Sequence, residues 1–324
     1  MEQIKNYVNG RWVDSKSGET FRSINPANRD EVIGIVPKSD RGDVDQAVRA
    51  AREAYEDWRL TPAPRRGEIL FRAAEILLRN KESLGKLETR EMGKILSEGL
   101  GDVQEAIDMG YYMAGEGRRL SGETIPSELP NKDMKSIRVP VGVFGLITPW
   151  NFPIAIPGWK VFPALVCGNT VVFKPSSDTP VCATRLVEAL AEAGLPKGVL
   201  NLIHGPGGEV GEYLVSHPGV DAVSFTGSFD TVSVSKEFVE PFIESLSPRW
   251  AERMRSLSWM MRTWIWPSKG PSGVVLERPG NDVLPPVGSL CIKKFTGSLL
   301  SDSEKPPPAS NWVMVFKGRR MWVR

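Results

Sequence analysis

Between residues 141 and 225 short apolar runs alternate with helical ones. Val141–Thr148, Thr170–Phe173, Val199–Ile203 and Ala222–Phe225 read as strands, and 155–166, 180–193 and 208–216 as helices. Strands linked through helices pair in parallel, with each connection crossing over a face of the sheet. The chain is therefore expected to form a doubly wound parallel α/β sheet. In such a sheet ligands sit at the carboxyl ends of the strands. Three loops lie there, 148–153, 174–179 and 204–211.

The residues before this sheet read differently. Tyr7 to Val13 form a hairpin turned at Asn9-Gly10. Asp43 to Trp58 repeats Val44, Ala47, Val48, Ala51 and Tyr55 at helical spacing, with Asp43 as the cap. Pro64 to Asn80 repeats the pattern, and further helices fill 82–92 and 97–117. Ser136–Val139 reads as a strand.

Each of the three loops has a chemical reading and a plainer one. Gly205-Pro206-Gly207-Gly208-Glu209-Val210-Gly211 would let backbone approach a phosphate, although its spacing is one residue longer than the usual dinucleotide fingerprint. A simple Gly-rich turn fits the same residues. Lys174 ends an apolar strand, where its cation would reach a phosphate or ribose or else remain solvated. In Ile147-Thr148-Pro149-Trp150-Asn151-Phe152-Pro153 the two prolines fix a turn and Asn151 offers an amide donor. A pre-aimed amide stabilises an oxyanion, whereas an Asx-type turn would leave it structural.

No run of about 18 apolar residues is present, so no membrane span is expected. The first residues lack the basic and apolar regions of a signal peptide. Cys167, Cys182 and Cys291 have neither disulfide nor metal-ligand spacing, so a reducing cytoplasm is expected and no metal. Residues 232–324 hold 14 Lys/Arg against 8 Asp/Glu, while residues 1–231 hold 27 against 31. The basic excess forms no stripe and no nucleic-acid motif accompanies it, which argues against a nucleic-acid partner.

Together the motifs resemble the NAD(P)-dependent aldehyde dehydrogenase family. They are Tyr7-Val8-Asn9-Gly10, Ile24-Asn25-Pro26, Thr148 to Pro153, Gly168-Asn169-Thr170, Lys174-Pro175-Ser176, Gly194-Leu195-Pro196 and Phe225-Thr226-Gly227-Ser228, in family order. The stretch from Gly122-Glu123-Thr124-Ile125-Pro126 to Lys174 looks most like members acting on semialdehydes. The resemblance implies that Ile147, Thr148, Pro149 and Trp150 line a cofactor cleft and that Asn151 donates to the oxyanion. It implies that Lys174, with Ser176 and Ser177 beside it, contacts the adenosine ribose. Gly207, Gly208 and Gly211 would face the adenine side and Ser228 the pyrophosphate, while Phe225-Thr226-Gly227 would turn beneath the nicotinamide half. Many NAD-preferring members carry Glu where this chain has Ser177, so the resemblance admits NADP as well as NAD. It further implies a small-molecule aldehyde as partner and homo-oligomers among intact members. Much of the oligomerisation arm is missing here, with Ser136–Val139 as its remnant.

Family chemistry uses a cysteine thiolate to attack the aldehyde, hydride transfer to nicotinamide, and a glutamate that activates water. After Ser228 no Glu-x-Gly-Gly and no Gly-Gln-x-Cys motif follows. Cys291 has no evident activating neighbour in sequence, and Cys167 and Cys182 read as small core residues. Six of the ten tryptophans fall in residues 232–324, where no sustained period is visible.

A shifted reading frame accounts for this tail. Trp and Met have single codons ending in G. Joining the third base of one codon to the first two of the next forces Gly at Trp250-Ala251, and Asp at Trp259-Met260, Met260-Met261 and Trp264-Ile265. It also forces Ala at Trp266-Pro267. With permitted codons elsewhere, residues 248–268 yield Glu-Met-Gly-Gly-Lys-Asn-Ala-Ile-Val-Val-Met-Asp-Asp-Ala-Asp-Leu-Asp-Leu-Ala-Val, the family's general-base segment. Pro279 to Leu284 likewise permit Gly-Gln-Arg-Cys-Thr, the nucleophile loop. The expected organisation is therefore an aldehyde dehydrogenase-like N-terminal and NAD(P)-binding domain over 1–228, incomplete in its sheet, and an aberrant tail over 229–324 without a catalytic domain. A bare edge at the last family strand and an inactive chain follow. A genuine tail on a non-catalytic nucleotide-binding or interaction protein is the other reading.

Overall fold

A computed structural model describes residues 2–227 and, further along, the backbone of 288–293, 312–316 and 319–323. The hairpin forms as its turn signal requires. β2 (Asn6–Val8) and β3 (Arg11–Val13) pair antiparallel, and Asn9 and Gly10 both take positive φ, +50° and +76°. Around it lies a small separate sheet in which β5 (Val32–Pro37) is flanked by β1 (Glu2–Gln3) and β4 (Thr20–Ile24).

Four helices follow: α1 (Arg41–Leu60), α2 (Ala63–Arg79), α3 (Lys81–Met92) and α4 (Leu96–Glu116). In α1 the periodic Val44, Ala47, Val48 and Ala51 are buried, together with Trp58. The cap is Asp40, not Asp43. Asp43 N donates to Asp40 Oδ1 at 3.0 Å while Asp40 N donates to Asp43 Oδ2 at 3.1 Å. Asp43 is thus the third helical residue and closes a capping box, which starts the helix three residues earlier than the apolar period suggests. Gly93, at φ +90°, ends α3.

Helices α2 and α4 cross on small residues. A Cβ at Gly67 would sit 2.5 Å from Ala114 O, one at Gly110 would be 2.9 Å from Ala74 Cβ, and one at Gly117 would be 2.6 Å from Ala63 O. Helix propensity alone would favour Ala at Gly67 by about 1 kcal/mol. Because backbone lies in the way, Gly67→Ala is expected to cost about 1–3 kcal/mol instead. Urea denaturation checks this, and an unchanged or raised midpoint would show that the helices separate freely.

The main sheet runs β12 (Gly288–Lys293), β11 (Ala222–Gly227), β8 (Val143–Ile147), β9 (Thr170–Lys174), β10 (Leu200–Leu202), β2 and β3 in order across it. Its parallel centre is β8, β9, β10 and β11. Between them come α5 (Ala155–Val166), α6 (Pro180–Glu192), a π-helical turn over Gly207–Gly211 and the short α7 (Glu212–Ser216). Alternate strand residues point to opposite faces. Leu146, Val171 and Phe173 pack with residues of α2, α4, α5 and α6 such as Ile107, Phe162 and Leu186. Val143, Ile147 and Val172 pack with α1 and α7 through Val44, Val48 and Leu214. The sheet is therefore covered on both faces, as doubly wound architecture requires.

Three expectations need correction. Ser136–Val139 is not a strand. The pairing is instead β6 (Thr124–Ile125) with β7 (Met134–Lys135). The ladder stops there because Pro126, next along, has no N–H to donate. The helix read over 208–216 divides into the π-helical turn and α7. The edge of β11 is not bare either. β12 (Gly288–Lys293) pairs with it antiparallel, from Ala222↔Lys293 to Gly227↔Gly288, so the tail supplies the backbone partners that a further parallel strand would otherwise provide. The tail also holds β13 (Trp312–Phe316) and β14 (Arg319–Val323), paired antiparallel, despite showing no sustained period.

Candidate functional site

The three loops singled out converge at one end of the sheet. Ile147 and Lys174 are register partners at the carboxyl ends of β8 and β9, and Thr148 N donates to Lys174 O at 3.3 Å. A Cβ at Gly211 would lie 3.5 Å from Lys174 Cδ and 3.8 Å from Ile147 Cδ1, so the Gly-rich loop closes on the same point. Ser177 Oγ donates to Gly205 O at 2.9 Å and ties the Lys174 loop to it. Gly205 itself has φ +149°, and a Cβ there would meet Val210 Cγ2 at 2.6 Å.

Lys174 is not a solvated strand-end lysine. It is buried, and its Nζ donates to Pro175 O at 2.6 Å. Burial lowers its pKa to about 8, with Asp178 acting in the opposite direction. Behind it His204 is buried as well, its Nε2 3.2 Å from Thr184 Oγ1 and its main-chain N–H donating to Asn6 Oδ1 at 2.9 Å. Desolvation, then the Lys174 charge, holds the His204 pKa down to about 3, so the ring is neutral at ordinary pH.

In the loop after β8, Trp150 is half exposed and Asn151 is buried. Asn151 Oδ1 and Thr148 Oγ1 are buried with no hydrogen-bond partner among the described residues. Among the described residues Asn151 Oδ1 therefore closes no Asx turn. Its segment is instead fixed from outside. Ala155, the first residue of α5, donates its N–H to Asp102 Oδ1 at 2.6 Å, and Thr179 Oγ1 donates to Trp150 O at 3.4 Å.

The remaining residues are distributed around this point. Ser176 is partly buried and accepts from Asp178 N at 3.2 Å. Gly207 has open space where its Cβ would be, and Gly208 has only Glu212 Oε1, at 3.7 Å. Phe225, Thr226 and Gly227 are buried at the end of β11, while Ser228 lies outside the described residues. So does most of the tail, with the codons from which the general-base and nucleophile segments are read. A cavity of about 400 Å³ opens beside the loops, between Trp150, Ser177 and Thr179 on one side and Ser23, Glu91 and Met92 on the other.

Sequence reasoning misses a set of buried charges here. Glu91 accepts from Val181 N at 2.9 Å, Cys182 N at 2.7 Å and Ser23 Oγ at 2.7 Å, capping α6 from a distant helix. Glu88, Lys94 and Asp102 are buried together close by. The available signal is weak: Glu88 and Glu91 are one turn apart, on the α3 face that carries Leu84.

Comparison with known proteins agrees with this geometry. The model of the aldehyde dehydrogenase family matches residues 12–237. The chain is 47% identical over 223 residues to alpha-ketoglutaric semialdehyde dehydrogenase of Bacillus subtilis, covering 69% of this chain and 46% of that protein. It is 48% identical over 224 residues to alpha-ketoglutarate semialdehyde dehydrogenase of Haloferax volcanii, covering 69% and 46%. Among solved structures, an NADP-dependent enzyme of E. coli superimposes with a TM-score of 0.72 at 38% identity, over 74% of this chain and 50% of the other. Betaine aldehyde dehydrogenase of Staphylococcus aureus, in complex with NAD+, does so with a TM-score of 0.71 at 38% identity, over 73% and 47%. The chain spans about half the length of the curated relatives it matches. Fold, loop geometry and the match over residues 12–237 place this chain in the aldehyde dehydrogenase family.

Proposed function

We propose that this chain carries the NAD(P)-binding part of an aldehyde dehydrogenase over residues 1–228, and that residues 229–324 are a frame-shifted tail. It binds cofactor and does not oxidise aldehyde. The observation that carries the binding half is the convergence of Ile147, Lys174 and Gly211 within van der Waals reach of one point. The residues suit a dinucleotide. Among the described residues nothing lies within 4 Å of a Cβ at Gly207 and only Glu212 Oε1 lies near one at Gly208, and Lys174 supplies a buried cation. Thr148, Pro149 and Trp150 form a wall beside Ile147, and Phe225, Thr226 and Gly227 close the neighbouring strand end. Ser228 is assigned to the pyrophosphate. In the intact enzyme, bound nicotinamide would supply the hydride acceptor for the aldehyde carbon once a cysteine thiolate has added to it. Asn151, whose carboxamide oxygen has no partner among the described residues, would in the intact enzyme aim its N–H at the oxygen of the reacting carbonyl.

The family reaction in the intact enzyme would be oxidation of an aldehyde to a carboxylate. Relatives named as semialdehyde dehydrogenases support a semialdehyde substrate. Inactivity rests on the missing nucleophile and base motifs after Ser228. The cytoplasm is the compartment assigned, on three cysteines whose spacing gives no disulfide framework. The test is direct: titrate the purified chain with NAD+ and NADP+, then assay aldehyde-dependent NAD(P)H formation. Binding without turnover is expected. Turnover would overturn the inactivity, and absence of binding would overturn the cofactor assignment.

Ser177 in place of an acidic residue, beside Lys174, favours NADP. The Lys174 ammonium attracts a 2′-phosphate only while protonated, and its pKa is about 8 before phosphate binds. NADP+ affinity should therefore be highest below that value and fall as pH rises through it, by up to about tenfold per unit. NAD+ affinity should change far less. Isothermal titration at several pH values checks this, and parallel profiles for the two cofactors would remove Lys174 from phosphate recognition.

The pairing of β12 with β11 favours a second reading, in which the tail is a genuine part of a nucleotide-binding or interaction protein. Limited proteolysis separates the two. A tail that resists cleavage supports this second reading, and rapid loss of residues beyond 228 supports the first.

A further inference from the structure

The charged cluster behind the Asn151 loop has no part in the site as described so far. Lys94, in the connection between α3 and α4, is buried with Glu88 of α3 and Asp102 of α4. Its Nζ lies 2.6 Å from Glu88 Oε1 and 3.6 Å from Asp102 Oδ2. The same ammonium stands 4.2 Å from the centroid of the Phe152 ring. Asp102 in turn accepts the Ala155 N–H at 2.6 Å. One cation therefore grips the segment on both sides of Pro153, directly at Phe152 and through a carboxylate at Ala155.

Such a cluster is a poor way to gain stability. Two carboxylates and one ammonium are removed from water, and burial pushes both carboxyl pKa values upward. Apolar residues of the same volume would fill the space at lower cost. What the charges supply is direction, since a cation over a ring face and a carboxylate on an N–H each fix an orientation. Asn151 needs that direction from its neighbours. Its Oδ1 makes no hydrogen bond among the described residues, and it directly precedes Phe152.

We infer that Lys94 is a positioning residue for Asn151, holding residues 148–155 through the Phe152 ring and the Asp102 cap without touching cofactor or aldehyde. This rests on the reading that the 148–153 loop lines the NAD(P) cleft. The test compares the full chain with Lys94→Met and with the double variant Lys94→Met/Glu88→Gln, which leaves one fewer carboxylate unpaired. Amide hydrogen exchange is read at residues 150–156 against β9 as an internal reference, alongside thermal unfolding and NADP+ affinity. In Lys94→Met, exchange at 150–156 should speed up about tenfold relative to β9, and NADP+ affinity should fall by a similar factor.

In the double variant, thermal stability should recover while the loop stays unprotected and NADP+ binding stays weak. Three results would overturn the inference: unchanged exchange at 150–156, loop protection that returns together with overall stability, or failure of the double variant to fold. The last two would make Lys94 a general charge-neutralising group of the core. Failure of the unaltered chain to bind NADP+ would count against the proposed function alone, because the exchange comparison still judges Lys94.

Discussion

If residues 229–324 are frame-shifted as proposed, inserting one base into the gene between the codons for Ser228 and Ser247 is expected to give the product aldehyde dehydrogenase activity. The reason lies in the forced letters of the alternate frame. Codons fixed by Trp250, Trp259, Met260, Trp264 and Trp266 give Gly, Asp, Asp, Asp and Ala where the general-base segment requires them. The restored nucleophile codon straddles Asp282 and Val283, and the restored base codon straddles Pro248 and Arg249. Where covalent catalysis loses its nucleophile, kcat falls by about 10⁶-fold, so the gain on repair should be of that order. Semialdehyde-dependent NADPH formation measures it. Replacing the restored cysteine by serine should abolish the gain. A gene whose nucleotide sequence lacks both motifs in the alternate frame would end the proposal before any assay.

Arg66→Met should cost about 3 kcal/mol and lower Tm by about 10 °C, the largest single loss expected outside the apolar core. The Arg66 guanidinium is buried where two helices end. Its Nε donates to Val166 O at 2.9 Å, at the close of α5, and Nη1 reaches Thr61 O and Trp58 O at the close of α1. The cation also stands 6.0 Å from the Trp58 ring centroid. Those carbonyls carry the negative end of each helix dipole; removal of the guanidinium takes the donor from Val166 O and Thr61 O, while Trp58 O keeps the Thr61 N–H at 3.1 Å. Arg66→Lys should recover part of the loss, since an ammonium cannot span both helix ends as a planar fork does. A drop below about 2 °C in a calorimetric scan would mean that water replaces the lost donors.

What the sequence discloses depends on how far each residue's partner lies along the chain. The Asn9-Gly10 turn and the bounds of α5 are legible because turn chemistry and apolar spacing are local. Asp43 is misplaced only by the reciprocal bond with Asp40, three residues away. Lys174 is different: nothing in a strand-end lysine shows that Gly211 and Ile147 will enclose its side chain. Its place in the site is legible through family resemblance alone. Glu88, Glu91, Lys94 and Asp102 are illegible for a stronger reason. Charges on helices are mostly solvated, and the groups that neutralise or cap these four come from other segments. The β12 pairing is likewise hidden, since the strand it joins lies more than sixty residues earlier and the tail shows no period that would announce it.

The place of β2 in the main sheet bears on how the polypeptide emerges from the ribosome. Asn6, Tyr7 and Val8 are buried, yet their partners are among the last described residues of the domain to be made. Tyr7 pairs with Leu202, Asn9 N donates to Asn201 Oδ1 across 192 positions, and His204 N donates to Asn6 Oδ1 across 198. At about 5–20 residues per second, synthesis of that intervening length takes roughly 10–40 s. Throughout that interval the hairpin has no sheet to join and its apolar side faces solvent or a chaperone. A segment translated well before its partners is thus docked late, and premature termination anywhere before residue 200 leaves it without its seat.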